Sequence, residues 1–316
     1  MKAIRIHEYG GPEVLKYEDA PDPRVGADDV LVDVHAAGVN QVDWKVREGW
    51  LEDMIRYAMP MIPGWDVSGV VAARGSNVVR FEVGDEVFGR PDVARDGAYA
   101  ERVAVRATEL AIKPASVDHV TAAAAPLCAL TAWQALFDAT PGYVGAGLAA
   151  GQTVLVHAAA GGVGTFAVQL AKWRGARVIG TCSARNLDYV RALGADEVVD
   201  YTTGRFEDAV RDVDVVLDTI GGDTQDRSWR VLQKGGILVS IARPPAEEVA
   251  ESHGVRAGYV FVQPMASQLD QIAALIDAQT LRVEVSNVLP LSSAREAQEL
   301  SRAGHVRGKV VLDVRA

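Results

Sequence analysis

The stretch "TVLVHAAAGGVGTFAVQLAK", Thr153 to Lys172, constrains this chain more than any other. It opens on a short apolar run, Thr153 to Val156, that reads as a buried strand. It closes on a segment that places Val163, Ala167, Leu170 and Ala171 on one helical face. Alanines and glycines stand between the two, and glycine is the poorest helix former after proline. The glycines therefore mark a strand-to-helix turn. Taken alone, such a turn is either a tight connection or a place where bare backbone approaches a ligand.

The surrounding chain favours the ligand. From about Thr121, apolar runs at 153, 177, 197, 213 and 235 alternate with helix-like segments, the pattern of βαβ units with right-handed crossovers and a parallel sheet. This predicts a doubly wound nucleotide-binding domain over 122–278. The N-terminal third differs: "KAIRIHEYG", "DDVLVDVHAAGVN", "VSGVVAARG", "GDEVFGR" and "YAERVAVRA" are short alternating runs broken by turn residues, as in an antiparallel, barrel-like β region. The tail, 279–316, has strand, helix and strand character and is expected to fold back and complete the first domain, 1–121. The helix expected over Ala266–Ala278 is assigned to the nucleotide-binding segment, and "RPPAEEVAESHG", 243–254, reads as a surface loop.

With 316 residues the chain is long enough for two cores. Its 42 acidic against 32 basic residues, a net charge of −10, argue against nonspecific binding to nucleic acid or anionic membranes. The two cysteines, Cys128 and Cys182, lack any metal-binding spacing and suit a reducing compartment. No apolar run is long enough to span a bilayer, and the first residues have no signal-like apolar core. A cytoplasmic protein is the expectation.

At the turn itself, Ala160, Gly161, Gly162, Val163 and Gly164 are the candidate cradle for a pyrophosphate, with the helix N-terminus supplying amide donors. Against the G-x-G-x-x-G template, alanine replaces the first glycine. The next strand, "RVIGTC", ends without an acid at Cys182, Ser183 or Ala184, so nothing there grips the ribose 2′-hydroxyl of NAD. Ser183 and Arg185 instead suit a 2′-phosphate, and NADPH is the expected cofactor. A solvated arginine at a helix start is the plainer role for Arg185.

These residues resemble a family: the zinc-independent medium-chain dehydrogenase/reductases, in the group of the zeta-crystallin-like quinone oxidoreductases and the alkenal and enone reductases. The glycine stretch is similar to that group's signature. "GGPEVL", "AAGVNQVDWKVREG", "PGWDVSGVV", "GDEVFG", "GAYAERVAV", "LTAWQAL" and "GKVVL" follow in the family's order. The resemblance implies an α/β fold in which a GroES-like β-rich catalytic domain, split in sequence, flanks a Rossmann domain, with the active site in the cleft. It further implies a homodimer joined through edge strands of the cofactor domains. Where zinc-dependent members carry a cysteine and a histidine as metal ligands, this chain has Asn40 and Trp65 followed by Asp66. Neither asparagine nor tryptophan suits a tetrahedral zinc site, so no metal is expected.

Without a Lewis acid, reduction is favoured over alcohol oxidation. Hydride addition to an enone or quinone leaves its charge on a delocalised enolate or phenolate, which hydrogen-bond donors can meet. The expected function is NADPH-dependent reduction of a small quinone or enone. The alternatives are an enoyl-thioester reductase and a catalytically silent NADPH-binding protein. By resemblance Asn40 and Asp43 stand at the active-site mouth, Asn40 either donating to a substrate oxygen or the cofactor ribose or capping the next turn, and Asp43 either orienting Lys45 or a water, or serving as a helix N-terminal acid. Lys45 replaces the tyrosine of many quinone reductases and is either an enolate-stabilising group or a surface lysine. Thr131, Tyr201 and Lys309 resemble residues that touch the cofactor. Trp44, Trp50 and Trp65 either wall an apolar substrate pocket or belong to ordinary packing.

Overall fold

The computed structural model describes residues 1–138 and 144–316. The chain divides into two compact units. One comprises Met1–Leu127, Gln263–Gln279 and Val283–Ala316, the other Cys128–Val262 and Thr280–Arg282.

In the first unit the hub is the eleven-residue strand Asp29–Val39. Its alternating "VLVDVHA" turns Val30, Val32, Val34 and Ala36 inward, all fully buried. One end pairs antiparallel with Arg102–Arg106, from Asp29 opposite Arg106 to Asp33 opposite Arg102. The other pairs antiparallel with Lys309–Asp313, from Val39 opposite Val310 to Ala36 opposite Asp313. The C-terminal tail thus closes the sheet begun by the N-terminal third. Strand Val67–Arg74 lies along the same hub, and the sheet continues through Glu86–Gly89 to Leu110–Ile112. A small cluster of Ala36, Ala123, Ala124 and Val311 packs where the tail strand meets the hub. A Cβ on Gly38 would lie 2.3 Å from the Ala123 carbonyl oxygen and 2.8 Å from the Asp66 carboxylate, so that approach requires glycine.

The second unit is a six-stranded, all-parallel sheet. Its order is Glu197–Asp200, Arg177–Cys182, Thr153–Val156, Val213–Asp218, Leu232–Ser240, Arg256–Tyr259. The chain reverses direction of winding at Thr153–Val156, so the switch point where such sheets bind nucleotides lies at the end of this strand. Leu155, Ile179, Val216 and Leu238 meet Phe206 and Trp229 in one buried cluster.

Two segments differ from expectation. The helix Ala266–Asp277 belongs to the first unit: it packs on strand Leu110–Ile112, and Asp277 accepts the Ser116 N–H at 2.9 Å. Its amphipathic pattern marks a helix but carries no record of which sheet covers the apolar face. The expected loop 243–254 contains a helix, Glu247–His253, which leads through Gly254 at φ +68° into the edge strand Arg256–Tyr259. Acids in the first turn and a histidine in the last suit its dipole, and buried Ala250 anchors it.

Leu155→Ala removes a fully buried side chain from the second core and is expected to cost about 2–5 kcal/mol, read as a lowered urea midpoint. An unchanged midpoint would show that the cluster does not carry the stability of this unit.

Candidate active site and cofactor cradle

The turn after Thr153–Val156 is built on Thr181 of the neighbouring strand. The Ala159 N–H donates to the Thr181 carbonyl at 2.9 Å, and the Ala158 N–H to its hydroxyl at 3.3 Å. Ala158 takes φ +47°, a left-handed conformation of order 1 kcal/mol costlier for alanine than for glycine. The strain sits one residue before Ala159, the position matched to the missing first glycine. Gly161 caps the helix Gly162–Trp173 without any side-chain bond, and the first helical bond is Thr165 N–H to the Gly161 carbonyl at 2.9 Å. The amides of Gly162, Val163 and Gly164 therefore have no helical acceptor and point from a positive dipole end. A Cβ on Gly164 would stand 2.2 Å from the Ala158 carbonyl oxygen, so the helix can only come this close with glycine.

His157, between strand and turn, is fully buried. Its Nδ1 meets the Thr181 hydroxyl at 3.1 Å and its Nε2 the Ser228 hydroxyl at 2.9 Å. Burial pushes its pKa down to about 4, so the ring is a neutral brace. Sequence reasoning assigned it no role.

Strands Arg177–Cys182 and Glu197–Asp200 pair with Cys182 opposite Asp200, and the Tyr201 N–H donates to the Cys182 carbonyl at 3.2 Å. Ser183 and Tyr201 consequently leave the carboxyl edge side by side, with Tyr201 half exposed and Arg185 exposed in the following turn, Ala184–Asn186. Asp200, the acid in register with Cys182, already accepts from the Thr202 N–H at 2.9 Å and hydroxyl at 2.7 Å. Thr131 is buried in the helix Pro126–Phe137. A dinucleotide fits this edge: bare amides for the pyrophosphate, then a hydroxyl, a phenol and a guanidinium for the adenosine end.

The first unit holds a second group of polar residues. Asn40 ends the hub strand and caps the helix Gln41–Arg47. Its Nδ2 donates to Asp66 Oδ2 at 2.8 Å, and its Oδ1 accepts from Lys309 Nζ. Lys309 also pairs with Asp66 Oδ2 at 3.1 Å, and the other Asp66 oxygen accepts the Leu127 N–H at 2.6 Å. Asn40, Asp66 and Lys309 are all buried. Lys309, expected to reach a cofactor, bonds both of these side chains through its ammonium.

Asp43 sits in the first turn of the same helix. Its Oδ2 accepts the Asn40 N–H at 2.8 Å and the Tyr99 hydroxyl at 2.6 Å, while its Oδ1 has no hydrogen-bond partner among the described residues. Burial raises its pKa to about 7, and the Tyr99 bond, the Asn40 bond and the Lys309 charge hold it down only in part. Two residues further along, Lys45 is turned about 200° around the helix, so Asp43 does not orient it. Lys45 lies 5.7 Å from the ring centre of Trp44 and 5.9 Å from that of Trp50, and burial lowers its pKa. Trp44 and Trp50 meet edge to face at 5.2 Å, with Trp50 63% exposed. Trp65 is not a pocket wall: it is wholly buried, and its indole N–H donates to the Arg95 carbonyl at 3.1 Å. Asp66 and Tyr99 were not singled out as site residues, because only the folded chain brings them to Asn40 and Asp43.

The alcohol dehydrogenase GroES-like family matches residues 26–115, and the zinc-binding dehydrogenase family matches residues 193–312. The chloroplastic NADPH-dependent alkenal/one oxidoreductase of Arabidopsis thaliana is 34% identical, covering 99% of this chain and 79% of its own. The quinone oxidoreductase of Coxiella burnetii superposes with a TM-score of 0.91 at 37% identity, over 100% of this chain and 99% of its own. The Escherichia coli quinone oxidoreductase, solved in complex with NADPH, does so with a TM-score of 0.88 at 27% identity, over 99% and 100% of the two chains. The chain belongs to the zinc-independent medium-chain dehydrogenase/reductases, in the quinone oxidoreductase and alkenal/one reductase group, and is an oxidoreductase that uses a nicotinamide cofactor.

Zinc, carried in the name of one matched family, does not fit the residues present. No group of three His, Cys, Asp or Glu side chains able to hold a metal occurs among the described residues. Asp66 faces an ammonium, and the Trp65 indole N–H is a donor rather than a ligand.

The raised carboxyl of Asp43 gives a testable pH dependence. Between about pH 4 and 7 the folded state holds a proton that the unfolded state has released, so this group lowers stability as pH rises through that window. The stability of Asp43→Asn relative to wild type should therefore climb across it and level off above. Parallel curves for the two proteins in urea unfolding would show an ordinary carboxyl.

Proposed function

We propose that the protein reduces quinones or α,β-unsaturated carbonyl compounds with NADPH and without a metal. The observation that supports this most directly is the buried Asn40, Asp66 and Lys309 group, which puts a hydrogen-bonding carboxamide and an ammonium where a metal-dependent member would need ligands. A bound NADPH would supply the hydride that, with a proton, saturates the activated double bond or converts the quinone to its hydroquinone.

The chain's own part is to bind and orient. Amides of Gly162, Val163 and Gly164 take the pyrophosphate, while Ser183, Arg185 and Tyr201 take the 2′-phosphate. Asn40 supplies polarity for the substrate oxygen, on which charge develops. Trp44 and Trp50 offer apolar faces to a planar substrate, and Lys45, beside both rings, offers a cation at the same face. The assembly read here is a homodimer in the cytoplasm. Arg256–Tyr259 is one edge of the parallel sheet, and both cysteines are buried and outside any disulfide, Cys182 with its pKa pushed up to about 11. No helix among the described residues is long and apolar enough to cross a membrane.

Initial rates of NADPH and NADH oxidation against quinones, alkenals and vinyl ketones test the reading. Turnover of enones or quinones with NADPH far ahead of NADH is expected; cofactor binding without turnover of any electrophile would overturn it. Arg185→Ala should raise KM for NADPH roughly 10- to 100-fold, the scale of a charged hydrogen bond, and leave KM for NADH unchanged. An equal effect on both cofactors would remove Arg185 from the phosphate site.

A further inference from the structure

We infer that Asp66 and Lys309 form a buried clamp that holds the Asn40 carboxamide in one orientation, making both of them positioning residues for the reductase reaction. The inference rests on the reading of Asn40 given above.

The argument is one of donors and acceptors. A lysine ammonium only donates, so it must face the carboxamide oxygen; a carboxylate only accepts, so it must face the carboxamide nitrogen. Lys309 Nζ bonds Asn40 Oδ1, and Asn40 Nδ2 donates to Asp66 Oδ2 at 2.8 Å. Flipping the amide would set nitrogen against ammonium and oxygen against carboxylate, two repulsions among buried groups, where screening is weak. The Asp66 to Lys309 contact at 3.1 Å closes the triangle, and the Leu127 N–H at 2.6 Å holds the second Asp66 oxygen. Each corner is fixed by a different piece of chain. Asn40 follows the hub strand, Asp66 precedes Val67–Arg74, and Lys309 begins the tail strand registered on Val39. The carboxamide is thus fixed before any substrate arrives. A preorganised donor avoids a reorganisation cost when charge develops, and a misplacement of about 1 Å can cost about a hundredfold in rate.

Four variants, Asn40→Ala, Asp66→Asn, Lys309→Met and the double Asp66→Asn/Lys309→Met, are compared in kcat and in KM for NADPH. Asn40→Ala tests the underlying reading, since unchanged turnover there would remove Asn40 from the reaction. With Asn40→Ala impaired, the clamp predicts that either single clamp variant lowers kcat about a hundredfold while KM for NADPH stays within about twofold. The double variant should lose about as much as one single, because the two residues act as a unit. Unchanged kcat in folded single variants, or losses that multiply, would overturn the clamp. A measurement on the unaltered protein covers the case in which variants fail to fold. In the 15N-labelled enzyme, the Asn40 carboxamide should show one strongly deshielded, slowly exchanging proton bonded to Asp66. Two protons with ordinary shifts and fast exchange would overturn the proposal.

Discussion

The buried contact between Lys309 and Asp66 is the constraint on which the first unit turns. Removing two charges from water costs several kcal/mol each, and the cost is recovered only where geometry and further hydrogen bonds are good. Here the pair is completed by the Asn40 carboxamide and the Leu127 amide. The bond spans 243 residues of sequence, and the tail strand paired with Asp29–Val39 is what carries Lys309 to it. At Gly38, opposite Val311 in that pairing, the Ala123 carbonyl and Asp66 come too close to admit a Cβ. Sheet closure and the site therefore rest on the same strand ends.

The second unit solves the complementary problem of leaving polar groups unsatisfied at a chosen place. Thr181 spends both its carbonyl and its hydroxyl on the turn, and the hydroxyl also meets the neutral His157 ring. With the turn so tied, Ala158 can be held at positive φ, and the bare amides that follow are aimed at the carboxyl edge of the sheet. A charged imidazole beside them would add a fixed cation in the strand layer; burial between two hydroxyls prevents this.

Elements with a strong local signature were legible in the sequence. The alternation of "VLVDVHA", the βα pattern from 153 onward and the glycine turn are local periodicities, and they appear where expected. The helix Ala266–Asp277 was legible as a helix but not as a neighbour of Leu110–Ile112, since an apolar face carries no address. The helix Glu247–His253 was missed because seven residues with one buried anchor show almost no period. At the site, the Ser183 and Tyr201 adjacency follows from strand register, which the βα pattern implies. The Lys309 contact does not, because a long side chain at a strand end can turn either to solvent or to a carboxylate. Only packing decides. Trp65 illustrates the same ambiguity from the apolar side: a tryptophan near a polar motif serves equally well as core.

The charge count of the first-unit group limits what chemistry it can support. Asp66 and Lys309 cancel, and Asp43, with a pKa of about 7 and no cation bonded to it among the described residues, adds at most one negative charge at neutral pH. Such a group lacks the concentrated positive field by which a metal stabilises a localised alkoxide. It can stabilise a charge already spread over an enolate or a phenolate, where a few oriented donors suffice. On the proposed reading, an amide in place of a metal ligand goes with a change of reaction class as much as with the loss of a ligand. The ion pair beneath the amide keeps that replacement rigid.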